Sequence, residues 1–148
     1  MVIYENLKSN LERLKELSKS LDESGLTTQF RLEVLNCLFQ ESPIVSWIKD
    51  ADGKFFFASD SFLKRFNLKE VRGRTDAELF PESVAVEIRN NDLDILKTNK
   101  MIELREHVPT PDGVMYEWLV FKFPITVNTD RFVCGFAIKL NIMETTNV

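Results

Sequence analysis

The sequence predicts an α+β domain: one five-stranded antiparallel sheet, with inserted helices on one face and N-terminal helices on the other. Three observations carry this. The element order is helix, helix, two strands, helical insert, three strands, a pattern of hairpins rather than βαβ units. The last two strands are apolar on both faces, with Phe132, Cys134, Phe136, Ile138 and Leu140 alternating with Val133, Gly135 and Ala137. Finally, three consecutive aromatics, Phe55, Phe56 and Phe57, follow a turn; strict alternation would send Phe56 opposite to Phe55 and Phe57, so both faces need covering.

Each element has a local reason. Over 3–21, Ile3, Leu7, Leu14, Leu17 and Leu21 keep a heptad spacing, with Asn10 inside the seam and charged residues elsewhere. So narrow a stripe suits a dimeric coiled coil, Asn10 fixing its register; the other reading is an amphipathic helix lying on its own domain. Ser24-Gly25 ends it, and Thr27 or Thr28 can cap a second helix over 29–40 that is too broadly apolar to face water. Pro43 stops that helix. IVSWIK and KFFFAS then form a hairpin across Asp50-Ala51-Asp52-Gly53. Ser59 or Asp60 caps a short helix bearing Phe62, Leu63 and Phe66, a loop with single helical turns follows, and Pro81 opens a helix over 82–98 with Val84, Ile88, Leu93, Ile95 and Leu96 inward. Strands over 101–108, 114–125 and 131–142 are separated by Pro109–Gly113 and Asn128–Asp130. The domain plan is 1–24 and 25–40 as leading helices, 41–144 as the folded domain and 145–148 as a tail.

Composition narrows function. The net charge of −4, without a basic block, argues against nucleic acid, and no apolar run approaches the roughly 20 residues of a membrane span. No signal peptide pattern opens the chain. Cys37 and Cys134 lie far apart in apolar surroundings and read as buried free thiols of a reducing cytoplasm rather than a disulfide. Zinc spacing is absent, as are the serine-hydrolase, phosphate-loop and metalloprotease motifs, so no catalytic residue is assigned and an enzyme is not expected.

Four motifs in order resemble the PAS sensory family: WIKDADGKFFFASDSFLKRF as its opening hairpin and first helix, GRTDAELFPESV as the linker into its long helix, HVPTPDGVMYEWLVFKFPI as its second hairpin, and GFAIKLNIME as its closing strand. The resemblance spans about 41–144. Ser59 stands where the family favours Asn, and Asn141 and Met143 where it usually carries Asp and Thr at the point of coupling to a following helix. With TTNV beyond, the chain reads either as an excised domain or as a stand-alone protein signalling through its N-terminal helix.

The resemblance implies a sheet cupping helices around a small cavity, no catalysis, dimerisation, and a signalling effector of the histidine kinase (two-component) or cyclic-dinucleotide enzyme type. A flavin photosensor of the family needs a cysteine where this chain has Asp76, and a haem sensor needs a histidine on the long helix, where there is none; His107 on the third strand is the only histidine. No cofactor is expected, leaving a small molecule. By the family's strand parity, and by bulk, the resemblance implies as pocket candidates Trp47, Phe57, Phe62, Leu104, Glu106, Val108, Tyr116, Trp118, Val120, Val133, Gly135 and Ala137. Glu106 stands out, because a carboxylate among apolar neighbours needs a partner or a proton. Arg74, Arg89 or a ligand donor could supply it, or Glu106 could reach the rim and pair there. The cavity is either open to a ligand or filled by aromatics, and the alternative function is a ligand-free dimerisation and interaction scaffold.

Overall fold

Turn chemistry sets the strand layout of the computed structural model, which describes residues 43–142. The two leading helices expected from the sequence, with the seam residues Ile3, Leu7, Asn10, Leu14, Leu17 and Leu21, fall outside the described residues, as do Cys37 and the tail. The first hairpin joins β1 (Ile44–Asp50) to β2 (Phe55–Ala58). Asp50 Oδ1 accepts the amides of Asp52 (3.0 Å) and Lys54 (2.9 Å), and Gly53 closes the turn at a φ of 85°, where a side chain would be strained.

The insert holds three helices: α1 (Asp60–Arg65), α2 (Asp76–Leu79) and α3 (Glu82–Thr98). Ser59 caps α1, its Oγ accepting the amides of Phe62 and of Ser46 in β1, while Ser61 Oγ donates to the Ile44 carbonyl at 2.7 Å. Two serines thus pin α1 to β1. A capping box between Thr75 and Glu78 opens α2. At the other end of the insert, Asn99 ends α3 in the left-handed conformation, its amide bonded to the Ile95 carbonyl. Val84, Ala85, Ile88, Asp92 and Ile95 form the buried stripe of α3; Leu93, expected inward, is exposed because it falls about 100° of helical turn away from Asp92.

The remaining strands are β3 (Ile102–Pro109), β4 (Met115–Val127) and β5 (Asp130–Ile142). The sheet order is β2-β1-β5-β4-β3 and every pairing is antiparallel, the predicted α+β architecture with the helical insert between the two hairpins. The chain-distant strands β1 and β5 meet at the centre, pairing Val45 with Ala137, Trp47 with Gly135 and Lys49 with Val133.

The phenylalanine run departs from strict alternation. A bulge at Ile48/Lys49 pairs Lys49 with Phe55 but Ile48 with Phe57, so Phe56 is the extra residue. Phe55 is buried in the core beside Phe62, Phe56 is exposed against Phe132, and Phe57 shares the face of Ile48 instead of that of Trp47 and Lys49. The core on the inner face is an aromatic chain: Trp47–Phe62 at 6.1 Å, Phe62–Phe66 at 4.8 Å, Phe66–Phe80 at 5.2 Å and Phe66–Trp118 at 5.8 Å between ring centroids. Such pairs contribute about 0.5–1.5 kcal/mol each beyond their buried area.

Candidate functional site

Strand and helix periodicity bring five charged residues inward. Lys49 follows Val45 and Trp47 on the inner parity of β1; Lys122 follows Trp118 and Val120 on β4; Glu106 precedes Val108 on β3; Asp92 lies one turn beyond Ile88 on α3; Asp76 opens α2. All five are 5% exposed or less. They form one chain of ion pairs. Asp76 Oδ2 bonds Lys49 Nζ at 2.6 Å, and Lys49 Nζ bonds Asp92 Oδ2 at 2.9 Å. Asp92 Oδ1 bonds Lys122 Nζ at 2.9 Å, and Lys122 Nζ reaches Glu106 Oε1 at 2.5 Å. Asn91 also donates to Glu106 Oε1, at 3.5 Å.

The protonation equilibria follow from this geometry. Burial raises the Asp92 carboxyl, but Lys49 and Lys122 together outweigh it and hold the group below its ordinary value. Burial alone would lower Lys122; Asp92 and Glu106 reverse that and leave it raised. For Asp76, which leans on Lys49 alone, burial prevails and its carboxyl is raised.

Beside this network lies a small cavity of about 40 Å³, lined by Val45, Trp47, Lys49, Phe62, Phe66, Asp76, Phe80, Ile88, Glu106, Val108, Trp118, Val120 and Ala137. By volume it holds about three waters, well below the several hundred Å³ of a drug-sized site. Aromatic rings form one part of the wall and Lys49, Asp76 and Glu106 another. The indole Nε1 of Trp47 is buried without a partner, whereas Trp118 Nε1 donates to the Val108 carbonyl at 3.1 Å. Asp76 also lines a broad surface groove between the 51–54 turn, α2 and the first half of α3, so cavity and groove have that residue in common.

Of the pocket candidates, Trp47, Phe62, Glu106, Val108, Trp118, Val120 and Ala137 line the cavity. Phe57 does not, because the β2 bulge turns it to the other face. Leu104 and Tyr116 pack against the core away from the cavity, on the flanks of the β3–β4 hairpin. Val133 is fully buried opposite Lys49 without reaching the cavity. Gly135 is covered by the Trp47 ring: a Cβ there would stand 2.5 Å from Cζ2. The expected partners of Glu106 are also corrected. Lys122 pairs with it, while Arg89 donates to the Ala51 carbonyl at 2.9 Å and packs over Gly53. Missed from sequence were Lys49, Asp76, Asp92 and Lys122; each is a charged residue at an inward position of its element's period, the signal that singled out Glu106.

Fold and site together define a single-sheet α+β domain closed over a small cavity of mixed polarity. A family model described as PAS fold matches residues 39–140, and the chain belongs to that family. No curated protein matches the sequence. Among solved structures, Vibrio cholerae VqmA is similar in its dimer without target DNA (TM-score 0.64, 22% identity, 79% of this chain and 52% of that one). The VqmA–ligand–DNA complex gives a TM-score of 0.64 at 23% identity, over 78% of this chain and 52% of that one. This chain therefore spans about half the length of the VqmA chains it matches. A PAS domain from a two-component sensor histidine kinase gives a TM-score of 0.60 at 9% identity, over 77% of this chain and all of that one. At these identities the likeness is one of fold.

Proposed function

We propose that this chain is a sensory PAS domain of bacterial signal transduction that binds a small molecule in the inner cavity and, as a homodimer through residues 1–24, biases an effector protein. The observation that carries the reading is the small cavity whose wall joins Trp47, Phe62, Phe66 and Trp118 to the buried polar groups of Lys49, Asp76 and Glu106. Apolar faces with a few convergent polar atoms suit a small ring or planar group, and the unpartnered Trp47 Nε1 is a donor awaiting an acceptor. A ligand that fits one arrangement of α2 and α3 on the sheet better than another shifts the population between them.

The effector is of the histidine kinase or cyclic-dinucleotide enzyme type, the first in keeping with the likeness to a sensor-kinase PAS domain. The likeness to VqmA, whose complex with ligand and DNA has been solved, adds a DNA-binding receptor as a possible whole protein. The net charge of −4 argues against DNA contact by this domain itself.

The cavity's small volume favours one other reading, a ligand-free scaffold whose interior is merely packed. Native mass spectrometry of protein purified from cells decides between them, with thermal denaturation across a panel of metabolites. A retained small molecule, or a metabolite-dependent rise in Tm, is expected; a clean apo mass with an unmoved Tm would leave the scaffold.

A further inference from the structure

The buried network is unbalanced. Lys49 and Lys122 bring two positive charges, and Asp76, Asp92 and Glu106 bring three negative ones. Both lysines are already committed: Lys49 to two carboxylates, Lys122 to two more, with Asp92 using both its oxygens between them. The surplus falls on Asp76 and Glu106, the two carboxylates that line the cavity. Among the described residues, Asp76 is bonded through Oδ2 and Glu106 through Oε1, so Asp76 Oδ1 and Glu106 Oε2 are the oxygens available to a ligand's donor. These side chains are 5% and 4% exposed, so water relieves them little.

A buried carboxylate in excess is costly unless a proton or a donor reaches it. Among the described residues, the other elements lining the cavity add no countercharge: α1 contributes Phe62, β5 contributes Ala137, and α3 contributes Ile88 beside Asp92. The rings of Trp47, Phe62, Phe66 and Trp118 line the same cavity, and a cation set over an aromatic face is attracted to it. An anion would meet two carboxylates and a lysine that both Asp76 and Asp92 already hold.

Resting on the ligand-binding reading above, we propose that the cavity selects a small planar nitrogenous cation, or a neutral molecule with N–H donors along one edge, and rejects carboxylates and phosphates of similar size. An amidine, a guanidine or a protonated nitrogen heterocycle belongs to the class. A four-heavy-atom planar group matches the present volume, and a larger member requires a ring such as Phe80 to move.

Acetamidinium, acetamide and acetate have nearly one shape and differ in charge, so they test the selection with the full chain. Binding is followed near neutral pH and at constant ionic strength through the indole N–H resonances of Trp47 and Trp118. Acetamidinium is expected to bind at least about tenfold more tightly than acetate, with acetamide between them. Glu106→Gln and Asp76→Asn, each checked for a cooperative Tm, should weaken acetamidinium and narrow its advantage. Should a variant fail to fold, the wild-type order alone decides. Acetate binding as well as acetamidinium would overturn the charge selection while leaving a binding cavity. If none of the three moved either indole resonance, this inference would fall, while the ligand-binding reading would still be decided by native mass spectrometry and thermal denaturation.

Discussion

The two faces of one sheet are built on opposite principles. On the inner face, Lys49, Glu106 and Lys122 project from β1, β3 and β4 into a buried ion-pair network closed by Asp92 and Asp76. On the outer face, β2, β4 and β5 present half-buried Phe57, Leu119, Phe121, Phe132 and Phe136, with Phe121 stacked on Phe136 at 4.9 Å and Cys134 buried among them. Desolvation pushes that free thiol up to about 12. The difference teaches what each layer can do. Apolar contact is non-directional and tolerates exchange of one side chain for another, whereas a buried ion-pair chain needs every member in place. The inner layer therefore fixes how α2 and α3 sit on the sheet.

The contrast is broken most severely at Asp92, the centre of the network. Asp92→Ala would take one of its two carboxylate partners from each buried lysine, leaving Lys49 with Asp76 and Lys122 with Glu106, and a loss of about 3 kcal/mol is expected in chemical denaturation. The same experiment against pH sharpens the assignment. Asp92 titrates below its ordinary value when folded, so the unfolded chain takes the proton first; its stabilisation is present above the ordinary carboxylate range and lost as pH falls through the lowered value. Lys122 is raised, so its share is present below the ordinary lysine value and lost as pH rises through the raised one. Asp76 runs the other way: raised by burial, it makes stability fall as pH climbs from the ordinary carboxylate value to its own. Asp92→Ala should abolish the acid-side loss that Asp92 causes; its persistence would point to other carboxylates.

A smaller effect is expected at Gly135, where the two faces are closest in cause. An added methyl would meet the Trp47 ring at 2.5 Å and the Phe121 carbonyl oxygen at 3.1 Å. Gly135→Ala should cost about 1–3 kcal/mol by overpacking and push Trp47 toward the cavity, weakening any ligand. Unchanged stability and binding would show that the ring has room to retreat. Least of all is expected at the outer edge, where the Arg72 guanidinium lies 5.1 Å from the exposed Phe56 ring. Arg72→Ala should cost no more than about 1 kcal/mol in the same assay.

Much of this was legible beforehand because period and turn chemistry are local. The Asp50–Gly53 hairpin, the Ser59 cap, the Pro81 start of the long helix and the five strands all follow from neighbouring residues. The family resemblance over about 41–144 agrees with the match over 39–140. What escaped depends on long-range geometry. Nothing in FFF announces that a bulge opposite Ile48 and Lys49 will turn Phe57 away from Phe55. Lysines read as solvent-facing by default, so Lys49 and Lys122 were passed over despite inward parity; only the approach of α3 across the sheet gives them Asp92 as a common partner. Glu106 stands out because a carboxylate among apolar neighbours needs a partner or a proton, yet that partner is Lys122 on the adjacent strand β4, not an arginine.

Asp76 is the partition between the interior and the outside groove. Were that side chain also the door, a visitor gripped by it would have to displace it again in order to leave, and tightening the grip would lengthen the stay. A detector built this way would trade promptness for sensitivity, and a single residue would set the exchange rate between them.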